Sequence, residues 1–174
     1  MLKYFMLKNI HIIIQILFFS SLMAQEPVMA ILKNINSNAT QKFNIKNYTF
    51  YCKAYGVVSL AKLYYQDSIT EECKNKINLF YNKNPKLKYY ALYNLHIGQA
   101  YHVEFRNNQC LLYAKGEYTL SELLLKNGLA FIDPKFNDDE FKYKFIESLY
   151  EAKSGKKGLW NTTIEYSCIP QLRR

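Results

Sequence analysis

Four cysteines, Cys52, Cys73, Cys110 and Cys168, carry the plainest chemistry in this 174-residue chain. An even count suits disulfides, and four cysteines allow three pairings, between which sequence alone does not choose. None stands in a Cys-x-x-Cys arrangement, so neither a redox pair nor a zinc ribbon has support. The three histidines, at 11, 96 and 102, are too scattered to suggest a zinc site. The second notable feature is the kind of positive charge. Nearly all of it is lysine, and the arginines are Arg106, Arg173 and Arg174. A guanidinium grips two phosphate oxygens at once where an ammonium acts as a point charge. Arg106 is therefore the one arginine in the body of the chain suited to that grip.

The N-terminus speaks for an oxidising compartment. Lys3 and Lys8 form a basic start, Ile10 to Met23 runs apolar, and Ala24 precedes the polar pair Gln25-Glu26. This pattern predicts a secretory signal peptide over 1–24, with Val28-Met29-Ala30 as a second cleavage site. The run is short for a membrane anchor, which needs about 20 apolar residues. No later segment is apolar enough to span a membrane. The mature part, 25–174, has the size of one domain with a real core. The whole chain carries +9, and losing Lys3 and Lys8 leaves +7 on the mature part. Such a balance favours a polyanionic partner, nucleic acid or another envelope polyanion. The competing reading is a general bias toward Lys, Asn, Ile and Tyr. A monomer is expected.

The elements follow from pattern. Residues 25–47 suggest one or two short strands, and Tyr48 to Val58, rich in aromatic and β-branched residues, reads as another with a bend at Gly56. Ser68-Ile-Thr-Glu71 reads as a capping box opening a helix with Ile69, Cys73, Ile77 and Phe80 at helical spacing. Pro85 opens a second helix with Leu87, Tyr90, Ala91 and Leu95 as its stripe, stopping at Gly98. Tyr101 to Phe105 and Cys110 to Tyr113 form a hairpin around Arg106-Asn-Asn108. Thr119-Leu-Ser-Glu122 is a second capping box, for a helix stopping at Gly128. Leu129 to Ile132 is a short link, and Asn137 to Glu140 opens a last helix with Phe141, Phe145, Leu149 and Ala152 on one face. The order predicts a small α+β domain, a partly closed barrel with helices at one end.

Several of these pieces occur in a familiar order. They are Val103-Glu-Phe105, then Leu112-Tyr-Ala-Lys-Gly116, then Ser121-Glu-Leu-Leu-Leu-Lys-Asn-Gly-Leu-Ala130, then Glu151-Ala-Lys153 and Lys157-Gly-Leu-Trp160. Together they resemble the C-terminal half of the staphylococcal-nuclease (thermonuclease) family, well over 85–160 and weakly over 30–84, with 59–84 as an insertion. The resemblance implies an OB-type five-stranded β-barrel with three or four packed helices. It also implies calcium-assisted hydrolysis of DNA or RNA phosphodiesters. In that chemistry acidic residues of the first hairpin and a following loop hold the metal, and two arginines brace the phosphate.

The matching positions depart from that pattern. The acidic turn has Asn36-Ser-Asn38-Ala as its counterpart, and no arginine stands near Tyr51 or Cys52. The acidic loop reads Gly56-Val-Val-Ser59. Arg106 is the one heir to an arginine post. Asp67, Glu71 and Glu72, inside the insertion, could rebuild a calcium site, although acidic residues also favour the positive end of a helix. Glu104, between apolar neighbours on a strand, reads as a structural carboxylate tied to a basic group. On an OB barrel face, Tyr48, Tyr51, Tyr55 and Tyr101 could stack bases. Placing both on barrel strands, the resemblance expects Cys52 near Cys110, which leaves Cys73 and Cys168 as a second bridge. Three functions compete: an exported nuclease with a rearranged site, a catalytically inactive module binding nucleic acid or another polyanion, and a structural or protein-binding role.

Overall fold

A computed structural model describes residues 27–106, 108–161, 164 and 168. The predicted signal peptide, 1–24, lies outside the described residues. Eight strands and six α-helices are described. They are β1 (Val28–Ser37), β2 (Thr40–Ile45), β3 (Tyr48–Lys53), β4 (Val57–Ser59), α1 (Leu60–Tyr64), α2 (Glu71–Lys83), α3 (Pro85–Lys88) and α4 (Tyr90–Asn94). Then follow β5 (Ala100–Arg106), β6 (Gln109–Lys115), β7 (Tyr118–Thr119), α5 (Leu120–Lys126), β8 (Ala130–Ile132), α6 (Asp139–Ser154) and a 3-10 turn (Gly158–Asn161).

The fold is α+β. The main sheet has six strands in the order β3-β2-β1-β5-β6-β7, and β4 pairs with β8 in a second, two-stranded sheet. The five-stranded OB-type barrel expected from the resemblance is therefore corrected to an open antiparallel sheet of six strands, and three or four helices to six. The sheet curls without closing. Its edge strand β3 returns toward β6 through one parallel bridge, Ala54 to Cys110, and through the Cys52–Cys110 disulfide. The second disulfide joins Cys73 on α2 to Cys168. The two short strands expected over 25–47 are a ten-residue β1 and a six-residue β2. Val28 to Ala30 pair with Val103 to Tyr101, and Ala30 is fully buried. Cleavage after Ala30 would delete the pairing of Val28, Met29 and Ala30 with β5.

Local chemistry explains most helix ends. Thr119 and Glu122 form the predicted capping box: the Thr119 hydroxyl accepts from the Glu122 N–H, and the Glu122 carboxylate accepts from the Thr119 N–H at 2.8 Å. The box expected at Ser68 is replaced. Helix α2 starts two residues later, with Thr70 as its cap accepting from the Cys73 N–H, and this leaves Ile69 free to bury. The helix expected from Pro85 to Leu95 is broken at Tyr89. Asn38 is the cause. Its Nδ2 donates to the Leu87 carbonyl at 2.8 Å, and its Oδ1 accepts from the Ala91 N–H at 3.0 Å. In an unbroken helix those two backbone groups would bond each other. One buried amide is inserted into the ladder and satisfies both ends.

The two glycine motifs that carry the resemblance, thirty residues apart, meet in space. Gly128 has φ +63° and Gly158 φ +54°, and a Cβ on either would strike the other segment's backbone. The Leu159 N–H donates to the Gly128 carbonyl at 2.9 Å. Backbone contact of this closeness requires glycine at both places. Leu124, Leu125, Leu129, Phe145 and Leu159 bury around it, continuous with Leu32, Phe43 and Leu112 under the sheet.

Candidate functional site

Arg106 ends β5, and carboxylates surround it. Its Nε donates to Glu104 at 2.6 Å, its Nη1 to Asp138 at 3.4 Å and its Nη2 to Glu140 at 2.9 Å. The ring of Phe141 lies under the guanidinium, 5.6 Å from its centroid. Tyr113 donates to Glu104, and Tyr55 donates to Asp138 at 2.7 Å. Burial opposes the charge on Arg106, but the hydrogen bonds to Glu104 and Glu140 outweigh it and its pKa is raised. Burial, helped by the bond to Asp138, pushes the Tyr55 phenol up to about 12. Three carboxylates around one guanidinium leave an excess of negative charge, which repels a phosphate. The geometry makes Arg106 a clamp holding the β5–β6 hairpin against the start of α6.

The three insertion carboxylates lie elsewhere. Asp67 is exposed in the turn after α1, and Glu71 and Glu72 occupy the first turn of α2. Glu71 pairs with Lys74 at 2.8 Å and Glu72 with Lys76 at 2.7 Å, both on their own helix. They are well placed for the helix dipole. None of them is among the carboxylates around Arg106. Among the described residues, no group of three or more His, Cys, Asp or Glu is arranged to hold a metal ion.

Asn38, expected from the resemblance to stand where a carboxylate would, is the helix-breaking amide and is spent on backbone. That role needs a donor and an acceptor in one side chain, which aspartate cannot supply. Asn38→Asp is expected to destabilise the protein by about 1–3 kcal/mol, since the Leu87 carbonyl would face a carboxylate instead of a donor. Chemical denaturation checks this. Unchanged stability together with new calcium binding would show that the position can serve as a ligand.

Where β2, β3 and β6 approach α1, a cleft of about 500 Å³ opens. Its polar lining is Ser37, Thr40, Lys53, Ser59, Lys62, Gln66 and Gln109, with Tyr65 at its edge and no carboxylate. Several of these groups already have local partners. Ser59 caps α1 by accepting from the Lys62 N–H, and Gln109 accepts from the Gly56 N–H at 3.1 Å. Lys53 and Lys62 are exposed. Calcium takes about six to eight oxygen ligands, carboxylates among them, so these residues do not fit it. They do fit an anion. A second cleft of about 360 Å³ shares Ser37, Ala61 and Tyr65 with the first, so the two adjoin.

The four candidate stacking tyrosines divide evenly. Tyr48 and Tyr51 are exposed, and Lys42 lies over the Tyr51 ring at 5.9 Å. Tyr55 and Tyr101 are buried. The Tyr55 hydroxyl serves Asp138, and the Tyr101 hydroxyl accepts from the His96 N–H at 2.8 Å, so neither offers a ring face to a base. Sequence reading missed Lys53, Lys62, Tyr65 and Gln109. The alternation of β3 could have found Lys53, which shares the outward face with Tyr51.

No protein-family model matches this chain, and no curated protein matches it. Among the described residues, no helix is long and apolar enough to cross a membrane.

Proposed function

We propose that the chain is an exported, disulfide-stapled module of staphylococcal-nuclease type, its barrel opened into a curled sheet, which binds nucleic acid or a related polyanion without cleaving it. One observation carries the reading: the clefts lined by Asn36 to Asn38, Val57 and Ser59 hold lysines and neutral polar groups but no carboxylate. Phosphodiester hydrolysis needs a positioned water and preorganised groups on the developing charge. The one arginine in the body of the chain is held by Glu104, Asp138 and Glu140. The Gly128–Gly158 apposition and the return of β3 to β6 support the architecture, and the two disulfides fit an oxidising compartment.

The test combines cleavage with binding. Purified, oxidised mature protein is incubated with labelled DNA and RNA, with calcium, with other divalent metals and with chelator. No cleavage is expected. Fluorescence anisotropy is expected to show binding that weakens steeply with salt, and the paired change Lys53→Gln with Lys62→Gln lowers the log–log salt slope by about 1–2. Metal-dependent cleavage would restore the nuclease reading. Absence of binding to any polyanion at low salt would leave the structural role.

A further inference from the structure

A second, aromatic cleft adjoins the first, with Tyr65 from the segment 59–84 and Tyr89 from the helix break that follows it. Tyr65 follows α1 and is 81% exposed, and Tyr89 sits at the helix break and is 49% exposed. Tyr64 packs edge-on against Tyr65 with ring centroids 5.1 Å apart. Lys88 places its ammonium 5.7 Å from the Tyr89 ring centroid, and Asn36 and Asn78 line the floor. Like the first cleft, this one has no carboxylate in its lining. Large rings left this exposed beside a cavity have stacking area to offer.

We propose that this aromatic cleft is a base subsite, and that the two clefts together take single-stranded nucleic acid with a phosphate between Lys53 and Lys62 and an adjacent unstacked base on Tyr65 and Tyr89. The inference rests on the polyanion reading above and names the strand state of its ligand. Two features favour nucleic acid over an anionic glycan. All charged groups of the two clefts are donors, which suits phosphate oxygens, whereas sugar hydroxyls are best held by carboxylate acceptors, which the lining lacks. The rings also adjoin the cationic end directly, matching the alternation of flat base and charged phosphate along a single strand. A duplex keeps its bases stacked and offers the rings nothing.

The experiment measures anisotropy of a 15-mer thymidine strand, the matching duplex and labelled heparin with the oxidised mature protein. Tyr65→Ala and Tyr89→Ala are each expected to weaken single-strand binding about 5- to 100-fold. The salt slope should stay unchanged and Tyr65→Phe should bind like wild type. Duplex binding should be weaker than single-strand binding and indifferent to the tyrosine variants. If the lysine pair lowers affinity while both alanine variants bind like wild type, the base subsite is overturned and the polyanion reading stands. If wild type binds neither nucleic acid nor heparin at low salt, both fall. Tighter binding of heparin than of the thymidine strand, lost on Tyr65→Ala, overturns the nucleic-acid assignment.

Discussion

Replacing Cys73 and Cys168 together with alanine is expected to lower the unfolding free energy by about 4–5 kcal/mol. The bridge closes a loop with a sequence separation of 95, and constraint of the unfolded chain grows with the logarithm of that length. Both cysteines are fully buried, so replacement also leaves a small void. The bridge joins α2 to Cys168, beyond α6 in the chain. For a domain of this size the loss corresponds to a fall in melting temperature of roughly 10–15 °C. The Cys52–Cys110 bridge, with a separation of 58, is expected to contribute about 4 kcal/mol. The two loops interlace between residues 73 and 110, so removing both costs less than the sum. Thermal melts of each variant, with non-reducing peptide mapping, check this. Finding Cys52 paired with Cys73 or Cys168 would overturn the connectivity, and a change below about 1 kcal/mol would show that the unfolded chain is already constrained.

The second large effect belongs to Arg106. Arg106→Ala is expected to destabilise the domain by about 3–5 kcal/mol, because it leaves Glu104 buried without its cation. The Glu104 side chain is only 6% exposed, and Asp138 is 12% exposed. The Arg106 side chain is 26% exposed, which places the effect toward the lower end, and the contact with mostly exposed Glu140 adds little. Substituting both partners by apolar groups, Glu104→Leu with Arg106→Met, is expected to recover most of the loss. This pair of variants separates a structural clamp from a phosphate brace. A brace would lose polyanion affinity while keeping its melting temperature. A clamp loses stability and, where still folded, binds as before. Urea denaturation and anisotropy on the same preparations decide it.

Much of the local structure was legible from short stretches. The Thr119–Glu122 box, the stop at Gly128 and the apolar face of α6 depend on neighbours within a few residues, so their signals survive in a single segment. The break at Tyr89 was not legible, because its cause lies about fifty residues earlier, in the amide of Asn38. The capping box at Ser68 misled for a related reason. Two residues compete for one cap, and burial of Ile69 chooses Thr70.

The candidate site divides in the same way. From residue types alone came the lysine-rich charge, the four cysteines and the lack of carboxylates where the resemblance expects them. The sequence by itself determined which chemistries this protein has the groups to attempt, since charge, thiol and ring are properties of single residues. Only the tertiary structure decided which of those groups face each other. It sent Arg106 to Asp138 and Glu140, more than thirty residues away, and buried Tyr55 and Tyr101. It also drew Asn36, Lys53, Lys62, Tyr65 and Gln109 from separate segments to two adjoining clefts. The physical reason is that electrostatic and stacking contacts act over a few ångströms in space, whereas these partners are separated along the chain by distances that only packing of the curled sheet against its helices can close.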